Sequence, residues 1–171
     1  MATHFNISGE LTKELLAPGD NYRVSKISLT NTQKVSKCKV DLYIEKKLTG
    51  KFYLLKGVEL PIGATLTYDD MKFSNTVGEF GLYIKLTDGA TFTLTGSINP
   101  TGTNTTVPGS GTAFLSELSI GDEILVTGET RTVDAITSDT AATVSAAWGS
   151  DLADDTTPDC NPTALVDVII N

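Results

Sequence analysis

The segment Ala164–Ile170, ALVDVII, decides how this chain is read. It has the composition of a strand, and it reads as the missing edge of a sheet begun in the first hundred residues. An acidic, Thr-rich block at 101–160 stands between the two. Of the 13 basic residues in the chain only Arg131 falls in that block, against Glu117, Asp122, Glu123, Glu129, Asp134, Asp139, Asp151, Asp154, Asp155 and Asp159. The remaining residues are close to neutral, so the block accounts for the whole net charge of −8. Two polar stretches, Asn99–Thr106 (NPTGTNTT) and Asp151–Pro162 (DLADDTTPDCNP), bracket it as linkers. A strand stranded beyond a small domain is hard to bury locally, and pairing back into the earlier sheet satisfies its backbone groups. The expected organisation is a host domain, 1–99 plus 162–171, carrying an inserted acidic domain at 100–161, since insertions succeed at exposed loops whose ends lie close together. The alternative is tandem order, with the tail strand belonging to the second domain.

At 171 residues the chain is long enough to bury a core without disulfides or metals. Its 15 Gly, 6 Pro and abundant Thr, with few helix-forming runs, point to many short strands joined by turns. Cys38 sits at an apolar strand position and reads as a buried thiol; Cys160 lies between Pro158 and Pro162, and the spacing of the two matches no zinc or CxxC motif. The first ten residues, MATHFNISGE, lack the basic and apolar regions of a secretory signal. No run approaches the roughly 20 apolar residues of a membrane helix. A soluble protein made in the cytoplasm is expected. With pI near 4.5 and no basic stripe, neither nucleic acid nor membrane is an expected partner.

Cys38–Lys46 gives the clearest strand signal. Cys38, Val40, Leu42 and Ile44 alternate with Lys39, Asp41, Tyr43 and Glu45, the period of a strand with one buried face. Tyr22–Thr30 reads as another, with Val24 and Ile27 out of phase and a bulge expected near Ser25 or Lys26. Glu10–Leu16 ends at the turn Pro18-Gly19-Asp20-Asn21, and Gly50–Leu60 is joined to Ala64–Tyr68 by Pro61-Ile62-Gly63. In Phe80–Thr87, Leu82, Ile84 and Leu86 face one way. Thr91–Ile98 reads as a further host strand with a hydroxyl-rich face. Six or so strands at this spacing are the signature of a sandwich or jelly roll. The acidic block adds Asp122–Thr127, Glu129–Ile136 and Ala142–Ala146, with a short helical turn at Thr112–Leu118. The fold class expected is all-β: an antiparallel, jelly-roll-like β-sandwich with an inserted small β-barrel-like domain.

Catalytic chemistry is hard to assemble from these residues. The only histidine, His4, lies near the N-terminus on an exposed or edge position, so a Ser-His-Asp or Cys-His set has no well-held base. Asp69-Asp70 reads as turn chemistry and Asp154-Asp155 as linker solvation; neither has the spacing of a calcium loop. Gly109-Ser110-Gly111 lacks the third glycine and the βαβ setting of a phosphate loop. Asn6-Ile7-Ser8 and Asn104-Thr105-Thr106 match the glycosylation pattern, which matters only in a secreted eukaryotic chain. Trp148, the single tryptophan, reads as core, with a sugar-stacking platform as the alternative.

Two stretches resemble bacteriophage virion proteins. Lys39–Asp70 (KVDLYIEKKLTGKFYLLKGVELPIGATLTYDD), followed by FGLYIKLTDG, is similar to small β-sandwich proteins of tailed phages, especially the T4-like phages of marine cyanobacteria. Val107–Trp148 (VPGSGTAFLSELSIGDEILVTGETRTVDAITSDTAATVSAAW) is similar to a compact β module that recurs in phage tail, fibre and capsid-associated proteins. The resemblance implies a non-enzymatic virion structural protein at a neck, tail, baseplate or capsid-decoration position, with no cofactor, no metal and no catalytic residue. The implied partners are other virion proteins and further copies of the chain. Tyr43, Glu45, Lys46, Lys47, Lys51 and Tyr53 form the expected assembly contact, an exposed ridge where basic and aromatic side chains concentrate on a neutral host, with the acidic domain projecting outward. A host-surface or glycan-recognition module is the second reading, and a cell-wall-degrading enzyme the third.

Overall fold

The structure, a computed structural model, describes residues 2–9, 11–46, 49–75, 79–150 and 158–171. It is all-β, with antiparallel sheets and one short helix among the described residues. The chain divides into two compact units. The first comprises Met1–Gln33, Lys37–Asp88 and Ala164–Asn171; the second comprises Lys34–Ser36 and Gly89–Thr163.

The first unit contains β1 (Thr3–Ser8), β2 (Thr12–Leu16), β3 (Arg23–Val24), β4 (Ile27–Asn31), β5 (Cys38–Lys46), β6 (Gly50–Leu60), β7 (Thr65–Tyr68), β8 (Phe73–Ser74), β9 (Gly81–Thr87) and the late strand β17 (Leu165–Ile170). They form two four-stranded sheets, in the orders β1-β17-β4-β7 and β2-β9-β5-β6, and a two-stranded ribbon β3-β8. Alternation explains the core. Ile7, Leu29, Val166 and Val168 from one sheet and Val40, Leu42, Leu82, Ile84 and Leu86 from the other belong to a single buried cluster, while alternate residues face outward. The long strands pair as a nested set: β1 with β17, β2 with β9, β4 with β7 and β5 with β6.

ALVDVII therefore does pair into the first unit, but not at an edge. β17 lies between β1 and β4, with Ile170 opposite both Thr3 and Ile27. The edge belongs to β1, whose outward residues His4, Asn6 and Ser8 mask its strand character in a hydrophobicity reading. The irregularity expected near Ser25 is also present. The amides of Ser25 and Lys26 both donate to the Asn171 carbonyl, at 2.8 and 3.1 Å, and this separates β3 from β4 while Val24 and Ile27 both reach the core.

The division between units differs from the boundaries read from composition. It falls after Asp88 rather than after Asn99, and before Ala164 rather than before Pro162. Thr91–Ile98 is not one host strand. It forms β10 (Phe92–Thr93) and β11 (Ser97–Ile98), both in the second unit and parted at Gly96. Gly96 has φ +81°, and a Cβ there would lie 2.5 Å from the Ser110 carbonyl oxygen, so the break requires glycine. The Asp88 carboxylate marks the junction in the first unit, accepting the Ala164 amide at 2.6 Å.

The second unit adds β12 (Thr106–Ser110), helix α1 (Phe114–Glu117), β13 (Glu123–Val126), β14 (Glu129–Ser138), β15 (Ala141–Val144) and β16 (Asp159–Asn161). Its sheet runs β10-β16-β13-β14-β15-β12-β11. Only Leu94–Gly96 joins the two end strands, and three residues span at most about 15 Å. A flat sheet of this width would part them by nearly 30 Å, so the sheet curls. Phe114, Leu118, Ile124, Val133, Trp148 and Cys160 fill its interior. Asp122, fully buried, accepts the amides of Ser119 (2.7 Å) and Thr163 (2.8 Å).

Candidate functional site

The outer face of the β2-β9-β5-β6 sheet carries a lateral row of one residue per strand. Glu14 of β2 stands opposite Tyr83 of β9, Tyr83 opposite Tyr43 of β5, and Tyr43 opposite Tyr53 of β6. Directly opposed positions share a face and bring side chains within reach. The rings of Tyr43 and Tyr83 stack at 5.7 Å and 15°, and those of Tyr43 and Tyr53 tilt at 5.5 Å and 53°. Tyr83 donates its hydroxyl to Glu14 Oε2 at 2.7 Å. That bond, first, and then burial raise its pKa to about 12.

Lysines cover this row. Lys51 Nζ lies 4.4 Å from the centroid of the Tyr43 ring and donates to Tyr43 Oη at 3.2 Å. The hydroxyl contact, with Glu45 opposite contributing, holds the Lys51 ammonium above its ordinary pKa. Lys56 Nζ sits 4.8 Å from the Tyr53 centroid. Thr12, Pro18, Tyr43, Glu45, Lys51 and Tyr83 line an open depression of about 420 Å³ on this face. Gly81 helps to shape it: a Cβ at that position would lie 2.7 Å from the Tyr83 ring, so the ring folds over a residue that has no side chain.

Of the six residues expected to form the contact, Tyr43, Glu45, Lys51 and Tyr53 come together here. Tyr43 is not exposed. It is 1% accessible under its neighbours, because a strand's period assigns a side chain to a face without saying whether the flanking strands cover it. Lys46 belongs to the other face of β5. It pairs with Glu79 at 3.0 Å and stands 5.9 Å from the Phe80 ring, which meets Phe52 edge-on at 6.0 Å. Lys47 lies outside the described residues. Tyr83, Glu14 and Pro18 complete the site and escaped the sequence reading. A signal for Tyr83 was present: Leu42-Tyr43-Ile44 and Leu82-Tyr83-Ile84 are the same tripeptide, and they pair antiparallel, centred on their tyrosines.

The remaining candidates fall elsewhere. His4 is exposed on β1, Asp69 and Asp70 are exposed after β7, and Asp154-Asp155 lies outside the described residues. Among the described residues no group of three or more His, Cys, Asp or Glu is placed to hold a metal ion, and no helix is long and apolar enough to cross a membrane. Gly109 and Ser110 belong to β12, paired with β11. Cys38 and Cys160 are buried and free; burial pushes the Cys38 thiol up to about 11 and the Cys160 thiol up as well.

Trp148 is 2% accessible in the core of the second unit and offers no stacking platform. Arg131, the lone base of the acidic block, holds it there. The guanidinium lies 5.2 Å from the indole, donates from Nε to the Ala147 carbonyl at 2.9 Å, and bonds Glu129 through Nη2. Glu129 in turn accepts the Gly149 amide at 2.9 Å.

No protein-family model, curated protein or solved structure matches this chain.

Proposed function

We propose that the chain is a non-enzymatic structural protein of a tailed-phage particle, with a first unit that docks on neighbouring subunits through the tyrosine row. The observation that carries the docking role is the row itself. Tyr53 and Tyr83, braced against the buried Tyr43 between them, and Lys51 and Lys56 laid over the rings present an aromatic and charged surface already ordered before binding. Tyrosine is enriched where proteins meet, and pre-ordering lowers the entropic cost of contact. Tyr53 is 43% accessible, so aromatic area is available on this face of β6.

Two things support the virion part. One is the resemblance of Lys39–Asp70 and Val107–Trp148 to phage modules. The other is the nested pairing of the eight long strands of the first unit across two sheets, the strand order of a jelly roll, an architecture common in viral capsid and lectin domains. The second is a fold-level analogy and assigns no chemistry. The acidic second unit would give the particle a soluble, negative surface.

Mass spectrometry of purified particles, with cryo-electron microscopy to place the chain, tests the virion role; absence from particles overturns it. Incorporation of a Lys51→Glu/Tyr53→Ser variant tests the docking face separately, and undiminished incorporation overturns that part. Turnover of peptidoglycan or polysaccharide by the purified chain would overturn the non-enzymatic reading. Glycan recognition is the second reading, favoured by the depression in which stacked tyrosines meet Glu45 and Lys51. Glycan-array binding lost in Tyr83→Ala would support it.

A further inference from the structure

The four edges of the two main sheets are not alike. β6 is blunted by Lys51, Lys56 and Glu59, by register shifts on both sides of Leu42, and by Gly57, whose φ of +60° turns its amide to Asp41 Oδ1 at 2.6 Å. β2 carries Lys13 and Glu14 and a shift between Glu14 and Leu16, and β7 has only four residues. These are the devices by which sheets avoid joining edge to edge. β1 has none of them. Its six residues, THFNIS, include no acid, lysine, arginine or proline, and its register with β17 is unbroken from Thr3 to Ser8.

The hydrogen-bond parity of β1 is fixed by its neighbours. Gly9 donates to the Ala164 carbonyl at 2.9 Å, and the Leu165 carbonyl accepts from Thr32, on the side of β4, at 2.9 Å. Ser8 and Leu165 are therefore opposed without exchanging bonds, and in an antiparallel ladder this alternates. The N–H and C=O groups of Ser8, Asn6 and His4 point away from β17 to the open edge. Side chains alternate as well: Thr3, Phe5 and Ile7 face the core side, with Ile7 5% accessible and Phe5 packed on the core, while His4, Asn6 and Ser8 are exposed.

We infer that β1 pairs antiparallel with β1 of a second copy of this chain, about a two-fold axis through Asn6. In that register Asn6 opposes Asn6, His4 opposes Ser8, and Phe5 opposes Ile7. Every outward backbone group from His4 to Ser8 then has a partner, the apolar pair extends the core line of both copies, and no like charges meet. A one-residue slip sets core-facing against solvent-facing side chains, and an axis through Phe5 sets Ser8 against Ala2, outside the strand. The strand thus selects itself as its partner, and one continuous sheet runs through both copies. This inference does not rest on the docking role of the tyrosine row.

Sedimentation velocity of the full chain tests it. The wild type is expected at twice the monomer mass, and Asn6→Pro, which removes only an outward N–H from the backbone, at the monomer mass. Asn6→Ala, which loses the side-chain bond to Asp167 but keeps that N–H, stays dimeric. A monomeric wild type at high micromolar concentration, or a dimeric Asn6→Pro, overturns the inference. Should Asn6→Pro fail to fold, cysteine cross-linking decides. Opposed Asn6 Cα atoms would stand about 5.5 Å apart, within the roughly 4.4–6.8 Å that a disulfide spans, so Asn6→Cys is expected to link under mild oxidation. Two Ser8 Cα atoms would stand about 14 Å apart, and linking through Ser8→Cys in place of Asn6→Cys overturns the register. The native thiols are both buried. Lys51→Glu/Tyr53→Ser keeps the dimer, which separates the two proposals.

Discussion

Removing Gly89–Thr163 and joining Asp88 to Ala164 through Gly-Ser-Gly should leave the first unit folded. The Asp88 carboxylate accepts the Ala164 amide at 2.6 Å, and ordinary bond lengths then place the two Cα atoms within about 8 Å. Three linker residues reach about 15 Å fully extended, so closure imposes no strain. The shortened chain keeps β1 to β9 and β17 together with their shared core. Ending the chain before Leu165 should do the opposite. It strips Val166, Val168 and Ile170, which are 1%, 0% and 3% accessible. At about 1.5–3 kcal/mol for each buried aliphatic side chain, the loss is about 5–9 kcal/mol, before any backbone bond to β1 and β4 is counted. Domain stabilities run to about 5–15 kcal/mol, so little or none would be left. Urea titration followed by circular dichroism reads both variants, and loss of Trp148 in the first leaves tyrosine emission as an independent probe. A deletion variant with no cooperative transition, or a deletion variant that also lacks Leu165–Asn171 and still shows one, would refute the reasoning.

Three further outcomes are expected. Tyr43→Ala should cost about 3–5 kcal/mol in urea titration, as for other buried aromatics, whereas Tyr53→Ala, which removes a half-exposed ring, should cost under about 1.5 kcal/mol; similar costs would mean that the row is not layered as described. Arg131→Ala should release the Trp148 segment, seen as a red shift of tryptophan emission and a lowered urea midpoint for the second unit, and unchanged emission would count against Arg131 as the clamp. Tyr83 holds its proton to about 12 through Glu14. A folded-state pKa above the ordinary tyrosine value contributes stability that is complete below about pH 10 and is lost as pH climbs toward 12. Absorbance titration near 295 nm should show a late tyrosine step that Glu14→Gln moves toward the ordinary range.

Sequence alone resolved the strands in which apolar residues alternate with polar ones. Cys38–Lys46 and Gly50–Leu60 are β5 and β6 to the residue, and Leu82, Ile84 and Leu86 face the core as their spacing requires. It placed the late strand in the first unit but not at its position there, because pairing partners are chosen by topology and not by period. The unit boundary was misread because Thr91–Ile98 alternates like a first-unit strand, and only the backbone at Gly96 divides it. Of the site, β5 and β6 were legible as strands, and Tyr43, Glu45, Lys51 and Tyr53 as members of one ridge. Tyr83 and Glu14 enter through strands distant in sequence, and register between such strands is set only when the sheet closes.

The nested pairing also fixes an order of events during synthesis. β1 leaves the ribosome well before its partner β17, which follows only after Gly89–Thr163 has been made, so Thr3 must wait for Ile170. The second unit, nearly contiguous in the chain, can complete its sheet sooner. Contacts of such long sequence separation form slowly and leave strand edges open meanwhile. The uncharged β1 is the strand most at risk during that interval, and a chaperone that shields residues 3–8 until residue 170 has emerged would raise the yield of folded chain.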